Sequence, residues 1–137
     1  MINYPDTISP HFIKLEHFSD QRGNLSVLSL LVLPFTPIRF FTISPKESIQ
    51  PRGKHAHKIC WQLFISTKSS SKITWENSQT ASIELLSEGE ALLVPPWNWC
   101  EINFDTLNSS ISVFASHLFD TADYVTERPN SKAIETR

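Results

Sequence analysis

Apolar and polar side chains in this chain alternate with a period of two. Residues 12–18 (FIKLEHF) alternate, and 62–67 and 81–86 (ASIELL) do so more loosely, as strands with one buried face do. Runs rich in β-branched and aromatic residues at 38–44, 72–76, 90–94 and 110–116 extend the series, separated at short intervals by Pro, Ser, Asn and Gly. No segment carries a sustained apolar stripe at helical spacing. The best helical candidate is 119–126 (FDTADYVT), where Asp120 can cap a turn or two. Short strands punctuated by turn residues predict an all-β sandwich or barrel. The glycines, Gly23, Gly53 and Gly89, fall at expected turns, as do Asp20 and Asn24. The polar segment 128–137 reads as a loosely docked tail.

Composition narrows the partners. The 137 residues suffice for a single domain, 1–137, with a real core. A net charge of -2 provides no broad field for nucleic acid or an anionic membrane, so a charged ligand must be met by local groups. The stretch 25–35, the longest apolar one, is interrupted by Ser26, Ser29 and Pro34 and is too short to span a bilayer. Two cysteines, Cys60 and Cys100, and an N-terminus without a charged-then-apolar leader predict free thiols in a reducing cytoplasm.

The densest set of reactive side chains is Arg52-Gly53-Lys54-His55-Ala56-His57-Lys58. On a strand, His55 and His57 would share a face, roughly 6.6 to 7 Å apart along the chain. Such a pair can clamp a metal, move two different protons, or sit on the surface beside a basic loop. A second segment, from Gly89 through Pro95-Pro96-Trp97-Asn98-Trp99-Cys100 to Glu101, bears on that choice. Together the two segments resemble the paired motifs of the cupin superfamily, which implies a cupin-type jelly-roll barrel with a short C-terminal helical turn. Metal cupins carry a glutamate after their two histidines and a further histidine in the second motif. Here Gln62 and Cys100 occupy those places. An amide replaces a carboxylate poorly, and a thiol favours softer metals, so the expectation is a barrel without a metal or organic cofactor. Zinc on the two histidines and Cys100 is the alternative.

The resemblance narrows further. Asp20-Gln21-Arg22-Gly23-Asn24, Arg39, the Arg52–Lys58 segment, Gln62, Pro95–Glu101, Ala115-Ser116 and Asp120-Thr121-Ala122-Asp123-Tyr124, in that order, are similar to the sugar nucleotide 3,4-ketoisomerase family of WxcM-like cupins. The likeness covers residues 12–126. It implies a dTDP-linked 4-keto-6-deoxyglucose as substrate, a 3-keto product for 3-amino-3,6-dideoxyhexose biosynthesis, and a homodimer. It also implies His57 as the carbon base and His55 as a proton relay between the sugar oxygens. Imidazole suits both roles because its pKa lies near neutrality. Arg39 and Gln62 are the expected donors to the enediolate. Arg52, Arg39, Lys54 and Arg22 are candidates for the diphosphate, the guanidinium groups offering a bidentate fit. Trp99 is expected to shape the pocket, and Glu101 to orient a histidine or cap its strand. Phe41 and Thr42 stand where family members carry tyrosines, whose hydroxyls would donate to substrate. Three rivals remain open: a sugar-nucleotide-binding cupin without catalysis, an epimerase of the related cupins, which usually pairs His with Tyr, and a metal-dependent cupin dioxygenase.

Overall fold

The computed structural model describes residues 2–129. Twelve strands follow in order: β1 (His11–Ile13), β2 (Glu16–Asp20), β3 (Gly23–Val27), β4 (Arg39–Ile43), β5 (Arg52–His57), β6 (Gln62–Lys68), β7 (Ser71–Glu76), β8 (Ala81–Leu86), β9 (Ala91–Val94), β10 (Trp99–Phe104), β11 (Ser110–Ala115) and β12 (Tyr124–Val125). Among the described residues the helical content is two 3-10 turns, Leu30–Val32 and Thr121–Asp123. The second falls inside the expected 119–126 stretch. Its cap is Asp120, whose side chain accepts a hydrogen bond from the Ala122 amide.

One five-stranded sheet has the order β1-β9-β6-β11-β4, the other β12-β5-β10-β7-β8, and β2-β3 forms a separate hairpin. From β4 to β11 successive strands alternate between the two large sheets, except at the β7–β8 hairpin. That order is a jelly roll, as the cupin resemblance implies. The core between the sheets includes Phe64, Ile73, Leu92, Ile102, Ile111 and Val113. A second cluster covers the outer face of the first sheet, where Leu63, Ala91 and Leu93 meet Leu15 and Leu33 from the N-terminal segment. Leu63 and Phe64 therefore point to opposite faces, and so do Leu92 and Leu93. Both faces of this sheet are apolar, which is why the alternation in its sequence is loose.

Two expectations shift. The run 12–18 is two strands, because the chain leaves the edge of the first sheet at Lys14-Leu15 to enter the β2–β3 hairpin. Arg128, the first residue of the expected loose tail, is anchored: its guanidinium lies 4.3 Å above the Trp99 ring and its Nε donates to buried Glu76 at 3.2 Å. Residues 130–137 of the expected tail lie outside the described residues. The cysteines are free and buried.

Candidate active site

Between the open ends of the two sheets lies a cavity of about 280 Å³. Arg39 and Phe41 of β4, Arg52 and His55 of β5, Gln62 and Phe64 of β6, and Cys100 of β10 line it, with Phe119 and Tyr124 at its C-terminal side. Strand alternation explains most of this set. Gln62 shares the inward face of Phe64, Arg39 that of Phe41 and Ile43, and Cys100 that of Ile102.

Arg52 and His55 are three apart and would face opposite ways on a regular strand. A β-bulge resolves this. Against β10, His55 pairs with Cys100, Gly53 with Glu101 and Arg52 with Ile102, with the register shift between Cys100 and Glu101. Gly53 (φ 85°) and Lys54 (φ 62°) absorb the extra residue in left-handed conformations. Gly53 is also required by contact, since a Cβ there would lie 3.0 Å from the Cys100 carbonyl oxygen. The bulge turns the Arg52 guanidinium into the same cavity as the His55 imidazole.

The two imidazoles meet edge to face, with Nε2 to Nε2 at 3.3 Å. His55 Nδ1 donates to the Gly53 carbonyl at 3.0 Å. His57 Nδ1 donates to Asp123 Oδ2 at 2.9 Å. The carboxylate is itself held by backbone amides: Oδ1 accepts from Lys58 at 2.9 Å and Ile59 at 2.8 Å, and Oδ2 accepts from Cys60 at 3.3 Å. Tyr124 stacks on His55 with ring centroids 4.0 Å apart and planes 8° from parallel, and meets His57 edge-on. Burial pushes both imidazoles below their ordinary pKa. For His57 the Asp123 hydrogen bond opposes that fall, and the neighbouring His55 and Arg39 charges deepen it. Cys100, fully enclosed, is pushed up to about 12 and is a neutral thiol at physiological pH.

His57, Cys60 and Asp123 bring ligand-type atoms within 4.8 Å of one another. The Asp123 oxygens are already taken by three amides and an imidazole N–H, so the group is a hydrogen-bond knot rather than a metal centre.

With this geometry in place, relatives can be compared. The FdtA family, described as WxcM-like, C-terminal, matches residues 9–135. The chain belongs to that family. It is 28% identical over 122 residues, 88% of each chain, to the TDP-4-oxo-6-deoxy-alpha-D-glucose-3,4-oxoisomerase of Aneurinibacillus thermoaerophilus. Its fold superposes with a TM-score of 0.79 on QdtA, a sugar 3,4-ketoisomerase from Thermoanaerobacterium thermosaccharolyticum in complex with TDP, at 26% identity over 87% of this chain and 88% of that one. It superposes at 0.78 on the WlaRB TDP-quinovose 3,4-ketoisomerase from Campylobacter jejuni, at 26% identity over 86% and 92%.

Of the residues that the family resemblance singled out, Arg39, Arg52, His55 and Gln62 share the cavity wall. His57 stands directly behind His55, 8% exposed. Trp99, Lys54 and Glu101 do not line the cavity. Trp99 and Glu101 alternate with inward Cys100 and so face the other side of the sheet. There Trp99 Nε1 donates to the Thr126 carbonyl at 3.2 Å and its ring carries Arg128, so it clasps the C-terminal segment instead of shaping the pocket. Lys54, swung outward by the bulge, pairs with Glu101 at 3.8 Å. Glu101 therefore orients neither histidine. Arg22 lies at the tip of the β2–β3 hairpin, paired with Asp20 at 2.6 Å. Asp123, Tyr124 and Phe119 are the site residues that sequence reasoning left without a role. The Asp-x-x-Asp-Tyr run was visible, but its contacts with His57 span 66 positions.

Proposed function

We propose that this chain is a sugar nucleotide 3,4-ketoisomerase converting dTDP-4-keto-6-deoxyglucose to a dTDP-3-keto-6-deoxyhexose through an enediolate. The observation that carries the reading is the His55–His57 contact at the wall of a cavity that also holds two guanidinium groups and an amide. At about 280 Å³ the cavity suits the keto sugar rather than a whole nucleotide sugar, which leaves the nucleotide for the open mouth. Moving the ketone requires removal of the C3 proton, stabilisation of the enediolate and protonation at C4. Imidazole is matched to the proton steps. Arg39 and Gln62 are the donors for the enediolate oxygens, and Arg39 is preset by donating from Nε to the His117 carbonyl at 2.9 Å. Arg52 meets the diphosphate. His57 acts as carbon base and His55 as relay. Tyr124, stacked on His55, supplies the phenol that Phe41 and Thr42 do not.

No helix among the described residues is long and apolar enough to cross a membrane. A cytoplasmic homodimer that feeds 3-amino-3,6-dideoxyhexoses into O-antigen or other lipopolysaccharide glycans is the cellular reading we favour. The hairpin β2–β3 supports association of two copies: both strands are exposed along their whole length, and Phe18, Leu25 and Val27 are uncovered.

The test is incubation with dTDP-4-keto-6-deoxyglucose in deuterated water, followed by NMR. The expected result is a C3 ketone with deuterium at C4. Exchange at C3 and C5 with the ketone unmoved would mark an epimerase, and no exchange a binding protein. In the same assay His57→Asn is expected to cut turnover by about 10²–10⁴-fold while nucleotide binding persists. Loss of binding together with turnover would reassign His57 to substrate anchoring.

A further inference from the structure

The hydrogen bonds around the two imidazoles fix more than their positions. A carbonyl oxygen can only accept, so the 3.0 Å contact with Gly53 requires a proton on His55 Nδ1. The Asp123 carboxylate likewise accepts, which requires a proton on His57 Nδ1. With both Nδ1 atoms committed, each neutral ring presents a bare lone pair at Nε2, and the two Nε2 atoms are 3.3 Å apart. Two lone pairs at that distance repel. Two protons would bring two cations together in a half-buried site. One proton converts the contact into a charge-assisted hydrogen bond.

We propose that His55 and His57 work as a single unit that accepts one proton, and no second, between their Nε2 atoms, with Asp123 and the Gly53 carbonyl as the positioning groups that enforce it. The groups facing this unit from the surrounding elements agree with a stock of one. Asp123, from the second 3-10 turn, balances a single positive charge. Arg39 on β4 opposes a second. Cys100 on β10 adds no charge as a thiol, Cys60 after β5 lies beside the Asp123 carboxylate, and Tyr124 on β12 covers the His55 ring.

The chemistry of the preceding section gives this stock a use, and this step rests on that reading. A unit with two Nε2 sites and one proton offers an acid and a base at once. When substrate separates the rings, the resident proton passes to O4 as the other Nε2 takes the proton from C3. The C3–H electron pair becomes the C3=C4 bond, and the former carbonyl π pair becomes the new O4–H bond, so the enediolate is met in its O4-protonated form. In the second half the O3–H proton returns to the unit and its electron pair forms the C3 carbonyl. The C3=C4 pair takes the stored proton at C4. The unit begins and ends with one proton, and no other reactant is consumed.

The proposal can be tested without substrate, so its outcome is independent of the ketoisomerase reading. ¹⁵N NMR of histidine-labelled protein, titrated from pH 8 to 5, should show both Nδ1 atoms protonated throughout. The two Nε2 signals should move together for an uptake of one proton. Two independent uptakes, or a bare Nδ1 on either ring, would overturn it. Asp123→Asn supplies a second readout. Because Oδ1 accepts from two backbone amides and Oδ2 from one, the introduced NH₂ takes the Oδ2 position, gives up the long Cys60 amide bond and donates to His57 Nδ1, forcing the proton to Nε2. The His57 signals should then show the opposite tautomer, with the shared uptake gone. Unchanged His57 signals in a folded Asp123→Asn protein would also overturn the proposal. For the established form of this effect, a wrong tautomer behind a general base, the loss in kcat is ~10⁴-fold with geometry intact. A similar fall in kcat per folded molecule is expected here, with the folded fraction read from the dispersion of the same NMR spectra.

Discussion

The buried imidazoles make the stability of this protein sensitive to pH. Both lie below their ordinary value of 6.5 in the folded chain because burial disfavours their charged form. The unfolded chain therefore binds more protons than the folded one once the pH drops below about 6.5, and stability falls as the pH is lowered through that range. The contribution is fully present above the unfolded value and is lost on acidification. Calorimetric melting from pH 7 to 5 should show a decreasing Tm, with a shallower slope in the double variant H55Q/H57Q. Equal slopes would mean that other groups set the acid limb. Tyr4 is displaced the opposite way: burial and the nearby Glu76 push its hydroxyl above the physiological range, leaving it a donor to the Glu127 carbonyl at 2.7 Å.

At the level of elements, the bulge in β5 and the turn before β12 assemble the site. The bulge lets one strand deliver both Arg52 and His55 to the cavity, with His57 behind His55, a combination that strict alternation forbids. It depends on Gly53, where any side chain meets both a left-handed φ and the Cys100 carbonyl. Gly53→Ala is predicted to cost about 1–2 kcal/mol from the backbone conformation alone, seen as a lower midpoint in urea. KM should rise more than kcat falls, because Arg52 is re-aimed while the imidazole pair is kept. An unchanged midpoint would show that the bulge can relocate. The turn Thr121–Asp123 brings the carboxylate to His57, and β12 continues it by pairing Tyr124 with His57 and Val125 with Ala56. Beyond β12, Arg128 on Trp99 and Glu76 fastens the segment that carries both groups.

At the scale of the molecule, the jelly roll leaves the β2–β3 hairpin and part of the outer surface without apolar cover. Leu31 is 95% exposed and Leu25 58%. A second copy is the partner proposed for this surface. Light scattering of the purified protein should report a dimer, and Leu25→Lys should shift it toward monomer without unfolding the barrel, since no core cluster includes Leu25. A monomeric wild-type protein would remove the dimer reading.

How much of this was legible without coordinates depends on the range of the interaction. Strand periodicity is local, so 81–86 emerged as β8 with the same bounds, and the 38–44, 62–67 and 110–116 runs as β4, β6 and β11 to within one residue at an end. β3 carried no marked run, because the alternation of Asn24-Leu25-Ser26-Val27 is short and runs directly into the apolar stretch 25–35. The His55-Ala-His57 spacing and the Arg-Gly motif placed reactive groups on one strand for the same local reason. The sequence by itself determined the class of fold, the reactive strand and the family likeness that points to a keto sugar. Only the tertiary structure decided which cations reach the cavity, because a bulge that turns Arg52 inward and Lys54 outward is a property of two paired strands. It also supplied the partner of His57. Asp123 is close in space and distant in the chain, and the proton-holding geometry of the two imidazoles follows from that contact.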